Sequence, residues 1–534
     1  AASFCSAALA AAAFFASAAA AACSAFAADA ACFSRAASSL AASAILRASA
    51  SSEAAAALSL ASIAISAASA SASAVDTAAA IRLGKISAQE AVDATIQRMA
   101  ETNGAVNAIT VDLSEDAMQA ARLADSIVGS GIALGQLHGV PVTIKENVDQ
   151  AGQATTNGVP GFADVVAKED SPVVANLRKA GAIIIGRTNT PEFSLRWFTD
   201  NPLRGLTKNP WNHGITPGGS SGGAAAACAL GMGAIAHGND LGGSLRYPAY
   251  ACGLATIRPS LGRVPACNPT AAEERPPTLQ LMSVQGPIAR EVRDVRLALD
   301  AMAQHDARAP WWVPAPLDGP RLHPPIKVAV TKTPAGIACH GAVAAAIDQA
   351  AGHLANAGYA VMAIDPPLVA EIAENWRTLL MTDTKVMTQA GIREHGSQEI
   401  NQVIDDYLAA SNTRDGEGYM RALADRTRLL RAWSVFMEGY PLVLAPVSQV
   451  PPFPQGEDLK GTERVKQMLD EQSMLYGVND LGLPAAAVPT GLHNGIPMGV
   501  QIIGPRLRED LCLDAAEAVE RSTGILAQQL WSRT

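Results

Sequence analysis

The sequence has no Cys-X-X-Cys pair, no long apolar run, no excess of basic charge and no GxxxxGK[ST] phosphate loop. Each absence removes a class of function. Eight cysteines are scattered at positions 5, 23, 32, 228, 252, 267, 339 and 512. In a chain of 534 residues that spacing describes free thiols in a reducing compartment, the cytoplasm, rather than a disulfide framework. Cys339-His340 is an isolated pair of metal-binding types, without the second pair that a structural metal site needs. A membrane-spanning helix takes about 20 strongly apolar residues, and the short runs here offer none. A net charge of −9 argues against a nucleic-acid-binding protein. What remains is a soluble globular chain, 49% hydrophobic, long enough to bury a large core.

Residues 1–74 are almost entirely Ala and Ser, with charge confined to Asp29, Arg35, Arg47 and Glu53. No basic segment precedes a compact apolar core, so a secretory signal is not expected. The composition describes a low-complexity extension outside the fold, with a Ser-rich transit segment as the alternative. The folded unit is expected over 75–534.

Within it, Ser87 and Glu90 form a capping box, with Val92, Ile96 and Met99 following at helical spacing. A strand is expected to end at Lys145. A helix opens at Ser171-Pro172 and closes at Ala180-Gly181, and Ile183 to Ile185 form a buried strand. Further on, strands are expected at 327–330, 359–364, 442–445, 486–488 and 499–503. Helices are expected at 341–357 and 509–521, with a mostly helical, charge-rich region at about 370–438. Such alternation predicts an α/β fold, a mixed sheet covered by helices on both faces.

The chemistry concentrates between Thr216 and Ala249, in two glycine-framed serine clusters. The first is Gly218-Gly219-Ser220-Ser221-Gly222-Gly223 and the second Asp240-Leu241-Gly242-Gly243-Ser244-Leu245-Arg246. Glycines beside a serine let backbone N–H groups approach a reacting atom, as acyl transfer requires. Upstream, Lys145 ends the apolar run Val140-Pro141-Val142-Thr143-Ile144, where it can be desolvated. No lysine follows Gly222-Gly223, which removes a phosphate loop. A GxSxG nucleophile elbow needs an apolar strand directly before the serine, and residues 210–217 are a loop.

Ser220 and Ser244 lie 24 residues apart, with Lys145 75 residues before the first. Here the chain resembles the amidase signature family. The family pattern runs from Gly218 to Ala249 with one departure, Cys228, where an aliphatic residue is usual. Lys145-Glu146-Asn147 with Thr155-Thr156-Asn157-Gly158 also fits. So does Ala180 to Asn189, although Arg187 stands where lysine is commoner. Asn209-Pro210-Trp211, Gly286 to Arg290, Gly482-Leu483-Pro484-Ala485 and Gly495 to Gln501 complete a likeness over about 78–525.

The resemblance implies a large single catalytic domain and a Ser–cis-Ser–Lys triad, without metal or cofactor. Ser244 would be the nucleophile, Ser220 a proton relay on a cis peptide after Gly219, and Lys145 the general base. The oxyanion hole maps onto the N–H groups of Leu241, Gly242, Gly243 and Ser244, with Ser194 at the substrate. A buried lysine loses its proton more readily and so can act as a base. Glu146 beside it is a complication if its side chain turns inward. Ser221, Asp240 and Arg246 read as supports of the two loops, His237 as structural and Cys252 as a packed thiol. Trp197, Phe198 and Tyr247 fit either a substrate pocket or the core. The expected reaction is hydrolysis of a small carboxamide or related C–N acyl bond, with no nucleic acid or membrane involved and a homodimer permitted. Two alternatives stand beside it. One is a carbamate or aryl-acylamide hydrolase of the same mechanism. The other is the glutaminase component of an amidotransferase for misacylated tRNA, which the aromatic Tyr247 disfavours.

Overall fold

The computed structural model describes residues 71–532. The extension read as 1–74 lies outside them except for its last four residues. Ser73 caps the first helix, Ala74–Arg82, and the Asp294 carboxylate accepts the N–H groups of Ala74 and Val75 at 2.9 and 3.0 Å. Among the described residues no helix is long and apolar enough to cross a membrane.

Eleven strands form one mixed sheet. They are β1 (Ile109–Asp112), β2 (Pro141–Lys145), β3 (Ile183–Thr188), β4 (Ile235–Asp240), β5 (Ala255–Arg258), β6 (Val284–Ala289), β7 (Lys327–Val330), β8 (Ala360–Ala363), β9 (Leu442–Pro446), β10 (Ala485–His493) and β11 (Ile496–Ile503). The order across the sheet is β1-β3-β2-β4-β6-β5-β10-β11-β9-β7-β8. β3, β2 and β4 run parallel, as do β9, β7 and β8; the remaining neighbours are antiparallel. Every residue of β2 and β3 is buried. Successive strand residues face opposite sides, so this burial means that both faces are covered by helices.

The strong local signals become the elements expected of them. The capping box at Ser87 opens Ala88–Val106, Pro172 opens Pro172–Lys179, and the C-terminal pattern becomes Glu509–Thr523. The helical region resolves into Val369–Asp383, a π-helical turn at Thr384–Thr388, and helices Gln389–His395, Gln398–Ala409 and Gly416–Gly439. β10 runs five residues past its expected end, because a bulge between Pro489 and Gly491 lets the hairpin with β11 continue. β6 contains Pro287, a residue that argues against a central strand.

Candidate active site

Topology brings the chemistry to one edge of the sheet. β2 lies between β3 and β4 and parallel to both, with Val142 opposite Ile184 and Ile235. The carboxyl ends of β2 and β4 therefore emerge side by side, where ligand sites of parallel sheets form. β2 ends in Lys145 and β4 in Asn239-Asp240. The helix Gly222–Ala229 feeds β4 through a short loop, so its amino end, with Ser220 and Ser221, returns to the same edge. That helix is built of alanine, glycine and one cysteine and is wholly buried; small side chains let it lie close against the sheet.

Lys145 is completely buried. Its Nζ lies 2.7 Å from Ser220 Oγ and 2.7 Å from Asn239 Oδ1. Burial pushes its pKa well below the usual lysine range, and the Asp240 carboxylate only partly opposes this. Nζ donates to Asn239 Oδ1 and to Ser220 Oγ; a neutral amine there would instead accept the Ser220 hydroxyl proton. The Gly219–Ser220 peptide bond is cis. Glu146 does not turn toward Lys145. It follows the last strand residue and takes the opposite side, where Arg204 pairs with it at 2.7 Å and the hydroxyls of Thr110 and Thr156 donate to it.

The Ser244 loop hangs from the end of β4. Asp240 accepts the Gly243 N–H at 2.8 Å and forms a fully buried pair with Arg246, at 3.0 and 3.1 Å. Burial opposes its ionisation, but Arg246, Arg258 and Asn479 outweigh that and hold the carboxyl well below the usual range. Gly243 adopts φ +97°, and a Cβ there would meet Leu475 at 2.3 Å. The Gly243 N–H thus serves loop geometry. Among the described residues, the N–H groups of Leu241, Gly242 and Ser244 donate to no protein acceptor and remain available to an oxyanion.

Two tryptophans fix that loop from its carbonyl side. Trp197 Nε1 donates to Gly242 O at 2.9 Å and Trp376 Nε1 to Leu241 O at 3.1 Å. A Cβ on Gly242 would lie 2.8 Å from the Trp376 ring. Holding a peptide's carbonyl orients the N–H groups around it, and a preorganised donor set is what stabilises a developing oxyanion. Trp376→Phe leaves a phenyl ring against Tyr476, on which the indole stacks at 4.4 Å, but removes the Nε1 donor and part of the slot wall. Its kcat is expected to fall about fivefold, as befits one neutral hydrogen bond, while KM for aryl substrates rises and the melting temperature drops because the slot wall loses volume. An unaltered kcat in steady-state assays would show that the loop holds itself.

Ser244 is 7% exposed and lies where two cavities meet. One is an apolar slot walled by Trp197, Trp376, Leu380, Met381, Ile404 and Tyr407. Its one cation, Arg196, is paired with Asp458 at 2.7 Å. The other, a cavity of about 620 Å³, is polar and reaches Ser220 and Asn239. Ser194 borders both, its hydroxyl bonded to Asn147, Asn157 and Thr190. Ser221 sits behind, 3.4 Å from the Asn239 backbone. His237 is buried against Gln285 at 2.9 Å, and burial lowers its pKa to about 3. It borders neither cavity. Phe198 and Tyr247 are core residues, whereas Trp197 walls the slot. Cys252 is buried, and burial raises its pKa far above the usual thiol value. His340 caps the helix Gly341–Asn356, and among the described residues no group of three His, Cys, Asp or Glu could hold a metal ion.

Asn239 and Trp376 were not evident from the sequence. Asn239 directly precedes the Asp240 motif, but nothing local marks it as a partner of Lys145. Trp376 lies 135 residues from the carbonyl it holds.

The amidase family model matches residues 90–513. An indoleacetamide hydrolase of Bradyrhizobium diazoefficiens is 50% identical over 449 residues, 84% of this chain and 86% of that protein. The A chain of glutamyl-tRNA(Gln) amidotransferase from Moorella thermoacetica is 32% identical, over 82% of this chain and 94% of that one. Among solved structures, a bacterial aryl acylamidase of the amidase signature family superposes with a TM-score of 0.75 at 26% identity, covering 86% of this chain and 97% of that chain.

Proposed function

Because this chain belongs to the amidase family and is an amidase acting on the C–N bonds of linear amides, we propose that its substrate is a primary arylacetamide, indoleacetamide first among them, cleaved through an acyl-enzyme on Ser244. The observation that carries this reading is the position of Ser244 between an aromatic slot and the Lys145–Ser220 pair. The aryl group fills the slot, which presents the carbonyl carbon to Ser244 Oγ. Neutral Lys145 draws the proton of Ser220 as Ser220 takes that of Ser244. The oxyanion meets the N–H groups of Leu241, Gly242 and Ser244. The proton then returns through Ser220 to the departing nitrogen, and ammonia leaves on the polar side. Water enters by the same cavity, is activated by the same pair and hydrolyses the ester.

Glutamine fits this slot poorly. Its α-ammonium and α-carboxylate would meet only Arg196, already paired with Asp458, and unpaired buried charge is costly. The free thiols of Cys228, Cys252, Cys267, Cys339 and Cys512 support a reducing, cytoplasmic setting.

The test is a panel of indoleacetamide, phenylacetamide, acetamide, ethyl carbamate, acetanilide and glutamine on the purified enzyme. Indoleacetamide is expected to exceed acetamide in kcat/KM by roughly a hundredfold, the yield of burying one aromatic group. Equal turnover of acetamide, or a preference for glutamine, overturns the reading.

A further inference from the structure

We propose that the enzyme also cleaves N-(arylacetyl) amino acids, secondary amides whose leaving amine bears a carboxylate, with Arg275 receiving that carboxylate. The inference rests on the Ser244 reading above and extends it to the other side of the scissile bond.

The leaving group occupies the polar cavity for a chemical reason. An amine departs only as it is protonated, and the proton reaches it through Ser220. Ser220 and Asn239 border the polar cavity and not the aromatic slot. The acyl group therefore takes the slot and the amine takes the polar side. That side is a cavity of about 620 Å³, a space far larger than ammonia fills.

Two arginines border this cavity, and they differ. Arg308 is saturated: Asp306 binds it at 2.7 and 3.0 Å, Glu169 at 3.3 Å, and the Asp170 carbonyl at 2.9 Å. Arg275 is half-buried, and among the described residues its guanidinium makes no hydrogen bond, ion pair or ring contact; only its backbone carbonyl is engaged, by Gln280 Nε2 at 2.6 Å. A partly desolvated guanidinium with no ion-pair or hydrogen-bond partner is a ready receptor for a carboxylate, which it can bind bidentately. Burial lowers the Arg275 pKa, with neighbouring Glu274 opposing. Glu273 and Glu274 also border the cavity, but both are exposed to solvent, where water and salt screen them.

The step adds no co-reactant. Ser244 Oγ bonds the acyl carbon, the C–N bond breaks, and the nitrogen takes the proton relayed from Ser244, leaving as the free amino acid. Water then displaces Ser244. The net reaction is acylamino acid plus water giving arylacetic acid plus amino acid.

The test measures kcat/KM for indoleacetamide, N-(indoleacetyl)glycine and the methyl ester of that glycine conjugate, with wild type and Arg275→Gln. The wild type is expected to prefer the free carboxylate to its methyl ester about tenfold, and Arg275→Gln to bring that ratio to about one. Both conjugates share the same acyl group and scissile bond, so a merely structural effect of the substitution would lower both together. Cleavage of indoleacetamide without cleavage of the glycine conjugate overturns this inference alone. So does a carboxylate preference that survives in Arg275→Gln. Failure on every substrate overturns the Ser244 reading beneath it.

Discussion

Ser244→Ala is expected to lower amide turnover by about 10⁵-fold while leaving the melting temperature where it is. The magnitude follows from how such sites work: once the nucleophile is gone, the remaining members cannot act, and losses near 10⁶ are known for a serine hydrolase. The stability expectation has a separate basis. Among the described residues the Ser244 hydroxyl has no hydrogen-bond partner, so its removal leaves no buried group unsatisfied. Its neighbours stay braced by the Asp240–Arg246 pair, which does not involve the hydroxyl. Rates with indoleacetamide and a thermal melt decide the matter together. Mass spectrometry adds a direct view: a slowly hydrolysed substrate should leave an acyl adduct on the peptide carrying Ser244 in the wild type and none in the variant. Turnover within tenfold of wild type would remove Ser244 from the mechanism. A large drop in melting temperature would show that the hydroxyl holds the fold.

How much of this was legible in the sequence depended on the range over which each residue acts. Lys145, Ser220 and Ser244 sit in short glycine-rich or strand-end patterns, and the resemblance to the amidase signature family singled them out as the candidate triad. They could be named before any fold was known. Asn239 could not, because its contact with Lys145 exists only through the parallel register that sets Val142 against Ile235. Of the aromatic slot, Trp197 stood out as fitting a pocket or the core, and the rest was visible only as a helical region. Its walls come from residues such as Trp376 and Tyr407, far along the chain from Ser244, which ordinary core packing could equally have claimed. Glu146 illustrates the reverse case. Beside Lys145 in sequence, it raised the prospect of a carboxylate holding the base protonated. Strand alternation turns it away, and Arg204 captures it. The Gly243 N–H, read as an oxyanion donor with its neighbours, is instead held by Asp240. That depends on where one carboxylate points, which sequence does not state.

Lys145 carries the second large effect. In the proposed mechanism its working form is the neutral amine, so activity is expected to require loss of a proton. At a pH below its folded-state pKa the enzyme is protonated and idle, and kcat/KM should rise tenfold per pH unit until the amine titrates, then level off. Burial moves that limb to lower pH than an exposed lysine would give. Lys145→Met keeps the length and apolar stem of the side chain but has no proton to exchange. Its kcat/KM is expected to fall by about 10² to 10⁴, the usual worth of a general base, and the rising limb should vanish. Asn239→Asp provides the sharper control. It sets a carboxylate within 2.7 Å of Nζ in place of the amide oxygen, which favours the ammonium form and shifts the limb toward higher pH. His237 cannot mimic either result. Its pKa of about 3 keeps it neutral across the working range, and it borders neither cavity. A pH profile that stays flat in the wild type, with chemistry rate-limiting, or a limb that persists in Lys145→Met, would assign the base to another group.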